Sequence, residues 1–249
     1  MRALLVNDTS GWHRGSMECV SKITLDLVDQ GYDVDRVPTH GDIDDGFPEL
    51  VVVNGEGTMH DDDISGAARW VLRTIRDAKD AGSRVWLVNA LWCRMSDEAA
   101  RIVDECCDYV QVREPLSRRD AIRQGIQPAL RLDAAVSQTF DAPDWRPIHF
   151  NDDTWRIKRG DWTLQLHGCS LLNTCYHHGV LAALAVKTPF IYREPRNATH
   201  KVDGLLAWLQ MPRPTHENVD QIDWRGVWRR FDRLPRFALP AAVCEEVPK

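Results

Sequence analysis

The sequence has no long run of apolar residues, and none approaches the roughly 20 that a membrane-spanning helix needs. The residues after Met1 lack the charged and apolar regions of a signal peptide. Internal repeats and low-complexity tracts are also absent. We therefore expect a cytoplasmic globular protein without a membrane span, whose 249 residues suffice for one large or two small domains.

The cysteines lack any paired spacing. There are seven, none forms a CxxC motif, and Cys106 and Cys107 are adjacent. This pattern favours reduced thiols over a disulfide framework. A metal site is conceivable from His60 with Asp61 to Asp63, but adjacent aspartates cannot all face one ion and nothing fixes the other ligands. We predict no metal site.

The sequence also lacks an excess of positively charged residues. The net charge is −6 and the isoelectric point about 5.8, which argues against a broad nucleic-acid interface. The ten tryptophans are scattered along the chain, as core and interface anchors are, and do not form a base-stacking platform. The expected partners are small molecules, and the composition is compatible with an oligomer.

Several common site motifs are missing, namely GxGxxG, GxxxxGK[ST] and GxSxG, so no dinucleotide, P-loop or serine-hydrolase site is predicted. The chain does contain an apolar run, Leu50–Val53, that predicts a buried strand and ends in Asn54-Gly55-Glu56-Gly57-Thr58. Its two glycines permit a tight turn and a close approach of a ligand to the backbone. Open α/β folds place ligands at such loops, although a plain turn has the same pattern.

Strand and helix patterns alternate over the first 135 residues, which is typical of a parallel, doubly wound sheet. The predicted strands are Arg2–Asn7, Tyr32–Pro38, Leu50–Val53, Arg84–Asn89, Tyr109–Arg113 and Leu130–Ala134. The predicted helices are Met17–Gln30 with Ser16 as N-cap, Ala67–Ala81, Ser96 to about Cys107, and Leu116–Gln124. Residues 1–140 are assigned to a Rossmann-like N-terminal domain.

The pattern changes after residue 140, and residues 141–249 are assigned to a smaller C-terminal α/β domain. Phe140–Arg159 is rich in Pro, Asp and Trp and is interpreted as a linker or crossover. The predicted elements that follow are strands Trp162–Leu166 and Thr188–Tyr192 and helices Cys175–Ala185, His200–Gln210 and Val219–Leu234. The last helix is amphipathic and basic, so we expect it to pack across the domains, with a membrane or nucleic-acid contact as the alternative.

Polar residues follow three predicted strands of the N-terminal domain, where a cleft would form. The candidate binding residues are Asn7, His13, Gly15 and Ser16 in the first loop, Gly55, Glu56, Gly57, Thr58 and His60 in the second, and Arg113 and Ser117 in the third. The first loop suits an anion or plain helix capping. Arg113 suits a carboxylate or phosphate, and a structural ion pair is the alternative.

The C-terminal domain adds histidines and cations. His177 and His178 open an alanine-rich helix, where a histidine can serve as acid or base near neutral pH. Positive charge follows at Arg193, Arg196, His200 and Lys201. These residues suit an anion, or they form a solvated basic face.

Together these loops resemble the polysaccharide pyruvyl transferase family over about residues 1 to 210. The matching stretches are, in family order, Asn7-Asp8-Thr9-Ser10 with His13 and Gly15-Ser16; Asn54-Gly55-Glu56-Gly57-Thr58 with His60; Val112-Arg113-Glu114-Pro115 with Ser117; Tyr176-His177 through Thr188-Pro189-Phe190; and Asn197 to Lys201. Each stretch alone is a weak signal, and their shared order makes the resemblance fairly specific.

The resemblance implies an α/β fold of two Rossmann-like lobes with parallel sheets, GT-B-like, with a small second lobe. It also implies an enzyme of polysaccharide biosynthesis that moves a pyruvyl group from phosphoenolpyruvate to saccharide hydroxyls as a ketal, without metal or cofactor. His177 matches the histidine proposed as the acid, and Arg113 matches an arginine that could hold the donor. His178, Arg193 and Lys201 would contribute to substrate binding.

The chain departs from the family at Cys175, where the family usually has an arginine. Loss of that guanidinium removes a donor-binding charge worth about 1.5–3 kcal/mol per hydrogen bond. Arg193, Arg196 or Lys201 would have to compensate. Otherwise the protein is a GT-B-like glycosyltransferase that uses a nucleotide sugar, or a non-catalytic binding protein of the same fold.

Overall fold

The computed structural model describes residues 1–12, 14–62, 65–136, 148–152, 169–194 and 201–241. Within these ranges the chain forms nine β-strands and seven α-helices. No helix in the same ranges is long and apolar enough to cross a membrane. The predicted strand Trp162–Leu166 and the candidate residues His13, Arg196 and His200 lie outside the described residues.

The larger sheet has six parallel strands in the order β2-β1-β3-β4-β5-β6. These strands are β1 (Arg2–Asp8), β2 (Asp33–Pro38), β3 (Leu50–Asn54), β4 (Arg84–Ala90), β5 (Tyr109–Val112) and β6 (Ala129–Leu130). Every residue of β3 is buried, as expected for a strand of a parallel sheet that is covered on both faces. The predicted α/β class with a parallel, Rossmann-like sheet is confirmed.

Four helices connect these strands. They are α1 (Arg14–Asp29), α2 (Gly66–Asp80), α3 (Asp97–Cys106) and α4 (Pro115–Arg123). Ser96 caps α3 as predicted, because its side chain accepts a hydrogen bond from the backbone N–H of Ala99. The N-cap prediction for Ser16 is wrong, because α1 already begins at Arg14 and Ser16 lies inside its first turn.

The sixth strand is shorter than its sequence pattern indicates. The prediction was Leu130–Ala134, whereas β6 ends at Leu130 and Ala134–Val136 forms a 3-10 helix. The chain leaves the sheet here because the N–H of Leu132 donates to the carbonyl of Pro235, at 2.7 Å, instead of to a neighbouring strand. Asp133 consequently lies beyond the carboxyl end of the sheet.

The smaller sheet consists of three parallel strands, β7 (Ile148–Asp152), β8 (Cys169–Thr174) and β9 (Phe190–Tyr192), in that order. The interpretation of Phe140–Arg159 as a linker is wrong for residues 148–152, which form β7. Turn-forming and charged residues on both sides of this five-residue strand hide it in the sequence. Strand β8 was not predicted either, whereas β9 was. The predicted division at residue 140 stays a prediction.

Three helices accompany the smaller sheet: α5 (His177–Ala185) lies between β8 and β9, and α6 (Lys201–Trp208) and α7 (Trp224–Asp232) follow β9. The predicted apolar face of the last helix is confirmed as a packing surface, since Val227, Phe231 and Leu234 are buried in the core around β9. Arg225 and Arg229 of α7 are exposed. The chain then returns to the larger sheet, where Phe237 packs in the buried cluster beneath α1.

Helices α4 and α6 approach each other closely at a glycine. The buried Glu114 carboxylate caps α4 by accepting hydrogen bonds from the N–H groups of Leu116 (2.7 Å) and Ser117 (2.6 Å). A Cβ atom added at Gly204 of α6 would lie 1.6 Å from Glu114 Oε2. The carboxylate cannot move away without giving up the cap, so this contact requires glycine at position 204.

We therefore expect Gly204→Ala to lower the free energy of unfolding by about 1–3 kcal/mol, the usual cost of overpacking. The matched control is Gly11→Ala, because a Cβ atom there meets nothing within 4 Å. Urea unfolding followed by circular dichroism measures both variants. Equal stability of Gly204→Ala and the wild type would contradict the close packing of α4 and α6.

Candidate functional site

The chain order reverses its direction across the sheet at β1 and β3, and this is the point where open α/β folds bind ligands. The carboxyl ends of the two strands are linked by side chains. Asn7 Nδ2 donates to the carbonyl of Asn54 (2.5 Å) and to Thr58 Oγ1 (3.0 Å), and Asn7 Oδ1 accepts from Thr39 Oγ1 (2.6 Å). Asn7 and Thr58, both predicted site residues, therefore shape the loops of this crevice.

Glu56 places a buried carboxylate in the crevice, and only 3% of the residue is exposed. Its two oxygens accept hydrogen bonds from Thr9 Oγ1 (2.8 Å) and Ser16 Oγ (3.0 Å). Gly57 adopts a left-handed backbone conformation, with φ of 66°, which turns the chain away directly after Glu56. The loop geometry thus fixes the Glu56 side chain between β3 and α1.

Asp133 lies at the centre of a buried polar cluster. One of its oxygens, Oδ2, accepts from Arg113 Nη1 (2.6 Å) and lies 3.2 Å from His177 Nε2. The other, Oδ1, accepts from the thiol of Cys19 (3.2 Å) and the N–H of Ala135 (2.9 Å). Burial alone raises the pKa of Asp133, but the Arg113 charge and the His177 hydrogen bond hold it well below its usual value.

Arg113 is therefore an internal ion-pair partner in this structure, with 2% of the residue exposed. It follows β5, whereas Asp133 follows β6, so two neighbouring carboxyl ends of the sheet bring them together. This arrangement corresponds to the structural ion pair, the alternative that the sequence left open. Arg113 fixes the position and charge of Asp133.

His177 is held by Asp133 and is buried at the first residue of α5. A carboxylate only accepts hydrogen bonds, so we assign the ring proton to Nε2, which leaves a lone pair on Nδ1. Nδ1 has no hydrogen-bond partner among the described residues. Burial lowers the pKa of His177 to about 4, although Asp133 raises it, so the imidazole is neutral at pH 7.

His178 points into the same cluster from the next position. Its Nε2 atom lies 3.7 Å from Glu56 Oε1 and 3.9 Å from Asp133 Oδ2. The ring lies against the backbone of Gly15, where an added Cβ atom would be 2.3 Å from the ring carbon Cγ. The two histidines thus connect the helix after β8 with loops of the larger sheet.

Lys201 adds a cation at the start of α6. Burial and the nearby Arg113 charge together lower the pKa of Lys201 to about 8, although Glu56 and Asp133 oppose the shift. It forms no hydrogen bond or ion pair with another residue in the described ranges. A half-buried ammonium without such a partner is suited to bind an anion.

The remaining candidates have other surroundings. Gly55 packs against the sheet, where an added Cβ atom would lie 2.6 Å from the Cβ of Ala90. Ser117 Oγ accepts from the N–H of Trp92 (2.9 Å) and is fully buried. His60 pairs with Asp61 through Nδ1 (3.0 Å), and Arg193 is exposed after β9.

Two residues of the cluster were not found from the sequence. Cys19 lies inside α1 and Asp133 lies between β6 and a 3-10 helix, so neither belongs to a motif. The Sγ atom of Cys19, a carboxylate oxygen of Glu56 and a ring nitrogen of His178 lie within 4.8 Å of one another. Among the described residues, these three form the group whose ligand atoms lie close enough together to hold one metal ion. The prediction of no metal site stays untested.

No protein-family model matches the chain, and no curated protein matches it. Its fold is similar to the crystal structure of a functionally uncharacterized protein from Klebsiella pneumoniae subsp. pneumoniae NTUH-K2044. The two share 10% sequence identity over 83% of this chain and 88% of the other, with a TM-score of 0.56. At this identity the similarity establishes a shared α/β fold and carries no information on activity.

Proposed function

We propose that the protein is a transferase of the polysaccharide pyruvyl transferase type, which moves a pyruvyl group from phosphoenolpyruvate to a saccharide. The observation that carries this proposal is the pairing of His177 with Asp133 in a buried cluster beside Lys201. This cluster brings together a histidine that is suited to transfer a proton and a lysine cation, and it lies near the carboxyl ends of strands from both parallel sheets. The two sheets would then form the two lobes of a GT-B-like enzyme.

The reaction adds two saccharide hydroxyls to one carbon of the donor. The oxygen of the first hydroxyl bonds to C2 of phosphoenolpyruvate, while C3 receives a proton and the C2–C3 double bond becomes single. The oxygen of the second hydroxyl then displaces phosphate from C2, and its proton leaves with the phosphate or with solvent. The products are a cyclic ketal and inorganic phosphate.

His177 is the residue to which we assign the proton transfer to C3. Its Nε2–H is directed at Asp133, and its Nδ1 lone pair can accept the proton of the attacking hydroxyl and pass it to C3. An imidazolium that forms in this step is stabilised by the Asp133 carboxylate. Asp133 acts as a positioning residue, which fixes the tautomer and orientation of the ring.

Lys201 is the residue to which we assign the donor anion. Arg113 is occupied by Asp133, and Cys175 replaces the arginine that the family usually has, so the charge for the phosphate or carboxylate must come from elsewhere. The half-buried ammonium of Lys201 supplies it, and its charge would attract a bound trianion more strongly than a fully solvated lysine would.

The direct test is phosphate release from phosphoenolpyruvate in the presence of a panel of mono- and oligosaccharides. We expect release that requires both the donor and one class of saccharide, with a ketal product visible by mass spectrometry. Thermal shift with phosphoenolpyruvate, compared with UDP-, GDP- and CMP-sugars, identifies the donor independently. Stabilisation by a nucleotide sugar alone, without phosphate release, would overturn the proposal.

A nucleotide-sugar glycosyltransferase is the second candidate, because the lone pair on His177 Nδ1 is also suited to deprotonate an acceptor hydroxyl. Such an enzyme would transfer sugar from its nucleotide donor and release a nucleoside diphosphate. If neither donor binds or turns over, the chain is a binding protein of this fold.

The pH dependence of donor use tests Lys201. Its pKa is lowered from 10.5 to about 8, so its charge is lost as the pH rises through 8. We expect kcat/KM for phosphoenolpyruvate to fall about tenfold per pH unit above that point, since this constant reports ionisations of the free enzyme.

Lys201→Arg should remove the fall above pH 8, because a guanidinium stays charged. Lys201→Met should lower kcat/KM by about 10- to 150-fold at pH 7, equivalent to the 1.5–3 kcal/mol of a charged hydrogen bond. The exposed Arg225→Met is the matched control and should behave as the wild type. An unchanged pH profile in Lys201→Arg would assign the ionisation to another group.

A further inference from the structure

We propose that Cys19, Glu56 and His178 bind one zinc ion at the junction between α1, the loop after β3, and α5. The inference does not depend on the proposed transferase activity. The three residues come from three separate elements, yet their ligand atoms lie within 4.8 Å of one another. All three side chains face the buried cluster around Asp133.

The spacing of the ligand atoms is close to that of a tetrahedral zinc site. With Zn–S at about 2.3 Å and Zn–N and Zn–O at about 2.0 Å, the S···N separation is about 3.6 Å and the N···O separation about 3.3 Å. Here Cys19 Sγ lies 4.0 Å from His178 Nε2, which lies 3.7 Å from Glu56 Oε1. These two separations exceed the zinc geometry by about 0.4 Å, and the third pair, Cys19 Sγ and a Glu56 carboxylate oxygen, lies within 4.8 Å.

The chemistry of the ligands selects the metal. A thiolate and an imidazole favour zinc over magnesium or calcium, which prefer sites built from oxygen atoms alone. Zinc sites with three protein ligands and one exchangeable position are common in enzymes. On binding, a bond forms between the ion and Sγ of Cys19, and the thiol proton leaves to solvent.

Neighbouring residues already hold these ligands in place, as the outer ligand shell of a metal site does. The hydroxyl groups of Thr9 and Ser16 fix the carboxylate of Glu56. Close contact with Gly15 fixes the ring of His178. A larger side chain at any of these positions would displace a ligand.

Surrounding charges are balanced for a dication. Arg113 and Lys201 are positive, but the carboxylates of Glu56 and Asp133 offset them. When the Cys19 thiol becomes a thiolate, it supplies a further negative charge at the ion.

The test uses the full chain. After removal of metals with a chelator, Co²⁺ is titrated as a spectroscopic probe and Zn²⁺ is measured by inductively coupled plasma mass spectrometry. We expect one equivalent of zinc and, with cobalt, a near-ultraviolet thiolate-to-cobalt charge-transfer band. Cys19→Ser should abolish the band, and His178→Asn should weaken metal binding by at least 100-fold, the upper end of the range for outer-shell changes.

Cys107→Ser is the matched control, because Cys107 lies at the end of α3 and is not one of the three ligands. It should leave both the charge-transfer band and the zinc stoichiometry unchanged. A charge-transfer band that persists in Cys19→Ser, or less than 0.1 equivalent of zinc in the wild type under about micromolar free zinc, would overturn the proposal. If Cys19→Ser does not fold, His178→Asn and Glu56→Gln decide the outcome. Metal content is measured without phosphoenolpyruvate or any other donor substrate, so a failure of the transferase proposal would not change this result.

Discussion

His177→Ala should reduce phosphate release from phosphoenolpyruvate by about 100- to 10,000-fold, the usual contribution of a positioned proton-transfer group. The reason is that the proposed reaction needs a group at C3 that gains and loses a proton within one turnover. His177 is buried, is oriented by Asp133, and has a free lone pair on Nδ1 in the described part of the structure. The measurement is steady-state kinetics with the saccharide acceptor at saturation.

Asp133→Asn should lower kcat by a similar factor while KM for the donor changes little, because an amide can hold the wrong tautomer of His177. This separation of kcat from KM distinguishes positioning from a general loss of structure. His216→Ala, an exposed histidine, is the matched control and should keep full activity. A kcat for His177→Ala within threefold of the wild type would remove His177 from the mechanism.

Arg113→Met should lower the free energy of unfolding by about 3–5 kcal/mol, because it leaves the Asp133 carboxylate buried without its ion-pair partner. Both side chains are only 1% exposed, so solvent cannot replace the guanidinium. For a chain of this size the midpoint of thermal unfolding should fall by roughly 6–20 °C. Methionine keeps most of the side-chain volume, so the change measures the lost charge.

Removing the carboxylate as well should recover much of the loss. We expect Arg113→Met with Asp133→Asn to be more stable than Arg113→Met alone, because the paired charges are then both absent. Arg123→Met is the matched control, since its ion pair with Asp120 is exposed and should contribute less than about 1 kcal/mol. If Arg113→Met unfolds at the wild-type temperature, the guanidinium is not an internal partner of Asp133.

The stability result bears on how activity losses are interpreted. The resemblance to pyruvyl transferases implies that Arg113 holds the donor, whereas here it pairs with Asp133. An inactive Arg113 variant would therefore report damage to the cluster before it reported donor binding. Lys201 is the better residue with which to test the donor, because it has no pairing partner among the described residues.

Much of the fold could be predicted because its signals are local. The apolar run Leu50–Val53 predicts a buried strand, and β3 spans Leu50–Asn54. The spacing of Val227, Phe231 and Leu234 predicts the buried face of α7. The predictions failed where local signals are weak or misleading. Polar residues interrupt β7 (Ile148–Asp152) and flank the two leucines of β8 (Cys169–Thr174), and β6 ends early because Leu132 bonds to Pro235.

The sequence by itself therefore determined the class of fold, the order of most strands and helices, and the loops that follow the strands. These depend on the periodicity and turn chemistry of neighbouring residues. Tertiary structure alone decided which polar side chains contact one another in the buried cluster. Asp133 pairs with Arg113 across 20 positions, with His177 across 44 and with Cys19 across 114. No pattern along a chain encodes such distant contacts, because they arise only when carboxyl ends of parallel strands converge and exclude water.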